Sequence, residues 1–196
     1  MPVELQNQSD TSVPIFYDTH AHLDYPDFAS DFCEVLARAR AAGIHKLISI
    51  GTDLESSRRA ITLAEKYPEI YAVAGWHPSN VMEAPDDLRP ALRELARHPK
   101  VVAIGETGLD YYRLPSQETS RTAADDEHYK QKQAAIFSQQ LEVAAELGLN
   151  CVIHQRGDSF GDLLAQFEPF ASRVRGVFHC FVESAAVRLV SWLGRR

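Results

Sequence analysis

The chain has little cysteine, no long apolar run and no excess of positive charge, and each absence removes a class of protein. Its three cysteines, Cys33, Cys151 and Cys180, are odd in number, and each lies in or beside an apolar run. They read as buried free thiols, with no disulfide framework implied. The opening MPVELQNQSDTSVP is polar and lacks the basic start and apolar stretch of a secretory signal, so a reducing cytoplasm is the expected compartment. No apolar run approaches the ~20 residues of a membrane span, and nothing calls for an obligate protein partner. A formal net charge of -7 excludes a protein that holds nucleic acid by a broad basic surface. It leaves room for a nucleic-acid substrate, because divalent cations neutralise both site carboxylates and substrate phosphates.

What is present is one alternation repeated along the chain. The sequence is 196 residues long and 45% hydrophobic, enough to bury one sizeable core. Residues 1–14 read as a polar leader, and residues 15–196 as one domain. Short β-branched runs at 15–18, 46–51, 70–74, 101–105, 150–153 and 175–178 alternate with amphipathic helical patterns such as 32–42 and 136–147. Gly43 and Gly148 stand where helix C-caps are expected, and Pro68 and Pro99 mark stops. Apolar strands separated by helices imply parallel pairing in βα units, hence an α/β fold. Residues 79–87 read as a loop leading to a helix near Leu88, and 114–127 as a polar loop. The final stretch, 185–196, is helical in pattern.

Polar residues able to bind metal recur where the apolar runs end: Asp18-Thr19-His20-Ala21-His22, Trp76-His77-Pro78, Glu106, His154-Gln155-Arg156 and His179-Cys180. Barrels and doubly wound sheets both build their sites at strand C-termini. His20 and His22, two apart, point to the same side of a strand, so both imidazoles reach one ion. Asp18 is placed to orient an imidazole from behind. Glu106 follows a run with no other charge, and its two oxygens suit it to bridge two cations in phosphodiester hydrolysis. His154 and His179 end separate strands and are placed to serve a second ion. His77 reads either as a substrate contact or as part of a turn shaping the pocket. Arg156 reads either as a two-pronged phosphate ligand or as a surface ion pair. His45, His98 and His128 are expected at helix ends or in loops, solvated.

These segments resemble the signatures of a known family. Residues 16–23 (FYDTHAHL), 75–78 (GWHP), 105–113 (GETGLDYYR), 152–156 (VIHQR) and 176–181 (GVFHCF), with the helix carrying Gln133, Phe137, Gln140 and Leu141, are similar to those of the TatD family. The resemblance runs from about Ile15 to the end. It implies a TIM-barrel (β/α)₈ fold of the metal-dependent hydrolase superfamily. It also implies hydrolysis of phosphodiester bonds in DNA, exonuclease-like, with two divalent cations such as Mg, Mn or Zn. Carried over by position, His20, His22 and Glu106 would hold one cation and Glu106, His154 and His179 the other. Glu106 would then be the catalytic carboxylate, with His77 and Arg156 toward the substrate.

The chain departs from the family pattern at its end. Family members supply an aspartate to the first ion from an eighth strand, within a Glu-Thr-Asp segment absent here. About six βα units are counted where a closed barrel has eight, so an incomplete barrel with impaired hydrolysis is expected. Two other functions remain in play. An amidohydrolase would share the H-x-H but often carries a carboxylated lysine where Glu106 stands. A fragment that binds metal without turnover is the third possibility.

Overall fold

The computed structural model describes residues 14–179. All but the last residue of the expected leader, the helical pattern at 185–196 and Cys180 lie outside the described residues. Among the described residues five βα units and a sixth strand follow one another: β1 (Phe16–Ala21), α1 (Phe32–Ala41), β2 (Ile44–Ile50), α2 (Leu54–Lys66), β3 (Ile70–Ala74), α3 (Arg89–Ala96), β4 (Val101–Asp110), α4 (Ala123–Leu147), β5 (Asn150–Arg156), α5 (Phe160–Phe167) and β6 (Gly176–His179). The strands pair in sequence order, every pair parallel. Each helix therefore carries the chain back to start the next strand.

Apolar side chains divide between two faces. Between helices and sheet lies the main core, with Ile70, Leu92, Ile104, Ile136, Phe137 and Leu141 almost fully buried. A smaller cluster, Ile50, Val73, Ala103 and Val152, with Ile48 and Val102 against it, lines the other face of β2–β5. That face is the inner wall of a curled sheet and borders an open channel of about 540 Å³, with His20 and His179 also on its wall. The curl is pronounced: the rings of His20 on β1 and His179 on β6, from opposite edges of the sheet, stack 3.5 Å apart. The described residues form part of a (β/α) barrel, the fold expected.

Several boundaries differ from the sequence reading. β4 continues past Gly105 to Asp110, so Glu106 lies within a strand. A register shift between Ile104 and Thr107 falls where the inner face passes from Ala103 to Glu106, as an irregularity that re-aims a side chain would. α4 begins at Ala123, inside the segment read as loop, because Thr122 and Asp125 form a reciprocal capping box. The loop expected at 79–87 contains a short 3-10 helix, Pro78–Glu83. His45 lies on β2 and His128 on α4, both exposed. Cys151 is buried, but Cys33 is exposed, since α1 fully buries only Leu36. Gly148 caps α4 in the left-handed region at φ 69°, as its position suggested. Among the described residues no helix is long and apolar enough to cross a membrane.

Candidate metal centre

The site forms at the C-terminal mouth of the sheet around Glu106, which is only 2% exposed. Its Oε1 lies 2.7 Å from His154 Nδ1 and its Oε2 3.3 Å from His20 Nε2. His77 Nε2 stands 3.7 Å from Oε1 and 3.2 Å from His154 Nδ1. The ligand atoms form two groups, each within a span of 4.8 Å: His20, Glu106 and His179, and His77, Glu106 and His154. His22 lies beside the first group, its ring centroid 5.2 Å from that of His20. This division differs from the sets that the resemblance implies, which place His179 with His154 and leave His77 outside. The register explains why one mouth gathers them: His154 on β5 pairs directly with His179 on β6 and with Gly108 on β4.

Glycine makes that gathering possible. Gly108 sits at φ 135°, and a Cβ there would collide with the His154 backbone carbonyl. Only a residue without a side chain lets β4 approach β5 so closely beside the cluster.

Hydrogen bonds behind the rings fix which nitrogen faces inward. His22 Nδ1 lies 3.2 Å from the Ile50 carbonyl. A carbonyl only accepts, so Nδ1 carries the proton and Nε2 keeps its lone pair for a cation. For His77 the case is reversed. Its Nδ1 accepts from the Ser79 N–H at 3.1 Å, so in the neutral ring Nε2 bears the hydrogen and faces Glu106 and His154. Burial, only partly opposed by Glu106, brings the His77 pKa down to about 4, which keeps the ring neutral. His77 is thus arranged as a hydrogen-bond donor, not as a nitrogen ligand.

His154 lies between two carboxylates. Its Nε2 lies 3.0 Å from Asp110 Oδ2, opposite the Glu106 contact. Burial alone would lower its pKa, but the bonds to Asp110 and Glu106 prevail and raise it to about 9. Burial pushes the Glu106 carboxyl upward, yet its contacts with His154 and His20 and the charge of His77 and His154 hold it well below the usual carboxylate range. Asp110 is likewise held down, its burial outweighed by the hydrogen bonds from His154 and from the Tyr112 N–H. Asp110 was not singled out in the sequence. The available signal was its place four residues after Glu106, on the same side of one strand. Asp18, expected behind an imidazole, instead accepts the backbone N–H of His20 at 3.1 Å. Arg156 has no carboxylate partner among the described residues, and its guanidinium lies 4.0 Å over the Tyr112 ring.

The donor set fits divalent cations. Imidazole nitrogens surround a buried carboxylate with one oxygen toward each group, a mixture suited to zinc or manganese. Among the described residues His20 Nε2 is buried without a hydrogen bond, although it faces the carboxylate, so its lone pair is available to a cation.

The family model described as "TatD related DNase" matches residues 17–190. The chain is 35% identical over 173 residues to an uncharacterized metal-dependent hydrolase, YabD, of Bacillus subtilis, covering 88% of this chain and 63% of that protein. It is 38% identical over 169 residues to a 3′-5′ ssDNA/RNA exonuclease TatD of Klebsiella pneumoniae, covering 86% of this chain and 59% of that protein. Among solved structures, a TatD homolog from Escherichia coli K12 superposes with a TM-score of 0.76 at 31% identity, over 90% of this chain and 64% of that one. The chain therefore spans about three fifths of the length of the curated relatives it matches.

Proposed function

Since the chain belongs to the TatD related DNase family, we propose that it serves as a metal-dependent phosphodiesterase acting on nucleic acid, single-stranded DNA first, in a reducing cytoplasm. The observation that carries this reading is Glu106, a buried carboxylate with imidazoles against both of its oxygens. In this reading Glu106 would be shared by two divalent cations (Mg, Mn or Zn), and His20, His22, His154 and His179 would supply the nitrogen donors. The cations, when bound, supply Lewis acidity toward the phosphoryl oxygens and acidify water. The chain's own residues then do the positioning. Asp110 holds His154 by its outer nitrogen, and the Ile50 carbonyl does the same for His22. His77, fixed by the Ser79 N–H, offers its Nε2 hydrogen to a non-bridging phosphate oxygen. Arg156, poised over Tyr112, supplies a second contact to the substrate. A carboxylate rather than a lysine at the bridging position favours this reading over an amidohydrolase.

The test is Glu106→Gln, which keeps the shape and removes the charge. Manganese should raise the unfolding temperature of the wild-type chain and support cleavage of a single-stranded oligonucleotide. The variant should lose the metal-induced rise and at least about a hundredfold in rate, as several kcal/mol of charge stabilisation implies. An unchanged thermal response to manganese in the variant would refute the bridging role.

A further inference from the structure

Beside the histidine cluster a cleft of about 550 Å³ opens between the 3-10 helix Pro78–Glu83 and the segment leading into α4. Its lining includes Ser79, Met82, Arg113, Arg121, His128 and Tyr129. The cleft begins where the cluster ends. Ser79 on its wall gives its N–H to His77, and Tyr129, buried against it, sets its hydroxyl 3.5 Å from the Pro78 carbonyl. On the other wall Arg113 follows Tyr112, whose N–H is held by Asp110 at 2.9 Å. A chain-like ligand with its reacting group at the cluster therefore has its neighbouring units within reach of this space.

The charges in the cleft are not all satisfied. Arg121 lies 3.7 Å from Asp125, which also accepts from Thr122. Glu118 adds a further acid to the lining. Arg113 and His128 are exposed and have no hydrogen bond or ion pair among the described residues. A cationic fork without a counter-ion, next to the exposed Met82 and an aromatic floor, is chemistry that takes a sugar-phosphate with its base. The guanidinium grips phosphate oxygens in two-pronged fashion, and the apolar wall covers the base.

We propose that this cleft seats the nucleotides flanking the bond to be cut, with Arg113 holding a phosphate next to the scissile one. This rests on the phosphodiesterase reading above and adds to it the path of the strand. It also answers how a chain of net charge -7 holds a polyanion: by one built-in cation beside the metal centre rather than by a basic face.

The test is binding of a fluorescein-labelled single-stranded oligonucleotide to the full chain, followed by anisotropy in EDTA over a series of salt concentrations. Arg113→Ala should weaken binding about tenfold, as loss of a charge-assisted contact implies. It should also reduce the slope of log affinity against log salt by about 0.7, as for one phosphate contact to a single strand. Arg113→Lys should recover most of the slope and only part of the affinity. His128→Glu, which sets a negative charge on the same wall, should weaken binding independently. Glu106→Gln separates the two readings, because it should lose metal-dependent cleavage and keep its affinity for the oligonucleotide. Wild-type affinity and salt slope in Arg113→Ala, or no binding by the wild-type chain, would overturn the proposal whatever happens at Glu106.

Discussion

At the scale of single residues, the site depends on how protons are shared around His154. In the metal-free chain both of its nitrogens face carboxylates, and the imidazolium is the form those contacts favour. The folded-state pKa of about 9 lies above the ordinary value near 6.5. The stability this pair of contacts contributes is therefore fully present below about pH 6.5 and is lost as pH rises through about 9. Glu106 and Asp110 act in the opposite sense: their lowered pKa values contribute stability above the ordinary carboxylate range, lost only in acid. In EDTA, the unfolding temperature should accordingly fall between pH 6.5 and 9, by about 2–4 °C for each kcal/mol lost, and His154→Gln should flatten that fall. A midpoint that stays level or rises over this interval would show that His154 is not held as the imidazolium. Histidines at the ends of apolar runs could be read from sequence because strand C-termini are where such sites form. Asp110 was legible only through its spacing from Glu106, because the extension of β4 beyond Gly105 is set by pairing with β5 and not by any apolar run.

At the scale of elements, α4 positions the metal centre although it contributes no residue to either group of metal-competent atoms. Two of its buried amides reach into the sheet. Gln140 accepts the Trp76 N–H at 2.8 Å and donates to the Trp76 carbonyl at 2.9 Å, gripping the residue before His77. Gln133 makes the same pair of bonds with Asp110, at 2.9 and 3.0 Å. One helix thereby sets both the donor His77 and the carboxylate behind His154. Gln140→Leu keeps the volume but leaves the Trp76 backbone groups buried and unpaired, a cost of about 1–3 kcal/mol. The expected result is an unfolding temperature lower by several degrees, together with weaker manganese-induced stabilisation. If that variant lost stability while its response to manganese stayed intact, Gln140 would be structural only. The apolar half of α4 could be read from its helical spacing. Its first turn could not, because Thr122 and Asp125 stand in a polar stretch where a capping box differs little from a loop.

At the scale of the whole molecule, the described sheet curls until its edges come close at one end and stays open at the other. Around Glu106 the two edge strands meet through the stacked rings of His20 and His179. Away from that mouth they part, and neither β1 nor β6 has a partner on its outer side among the described residues. The parted region is apolar: Ile15, just before β1, and Phe16 and Tyr17 at its start are 63%, 54% and 62% exposed, and Val177 on β6 is 61% exposed. A row of free backbone donors and acceptors bearing large apolar side chains is a template for another strand. The alternating pattern that revealed the parallel strands from sequence carries no information about which strand ends at an edge. A parallel strand buried on both sides and one left open draw on the same β-branched and aromatic residues. The expected behaviour is self-association through β1, seen in sedimentation velocity as an average coefficient that climbs with protein concentration. Tyr17→Lys should suppress it, because a lysine on an edge strand repels a second copy and stays hydrated when unpaired. That position lies before His20, outside both groups of metal-competent atoms, so manganese-induced stabilisation should survive the substitution. A wild-type chain that sediments as one species, at one coefficient over a hundredfold range of concentration, would mean that the exposed edge does not recruit a partner.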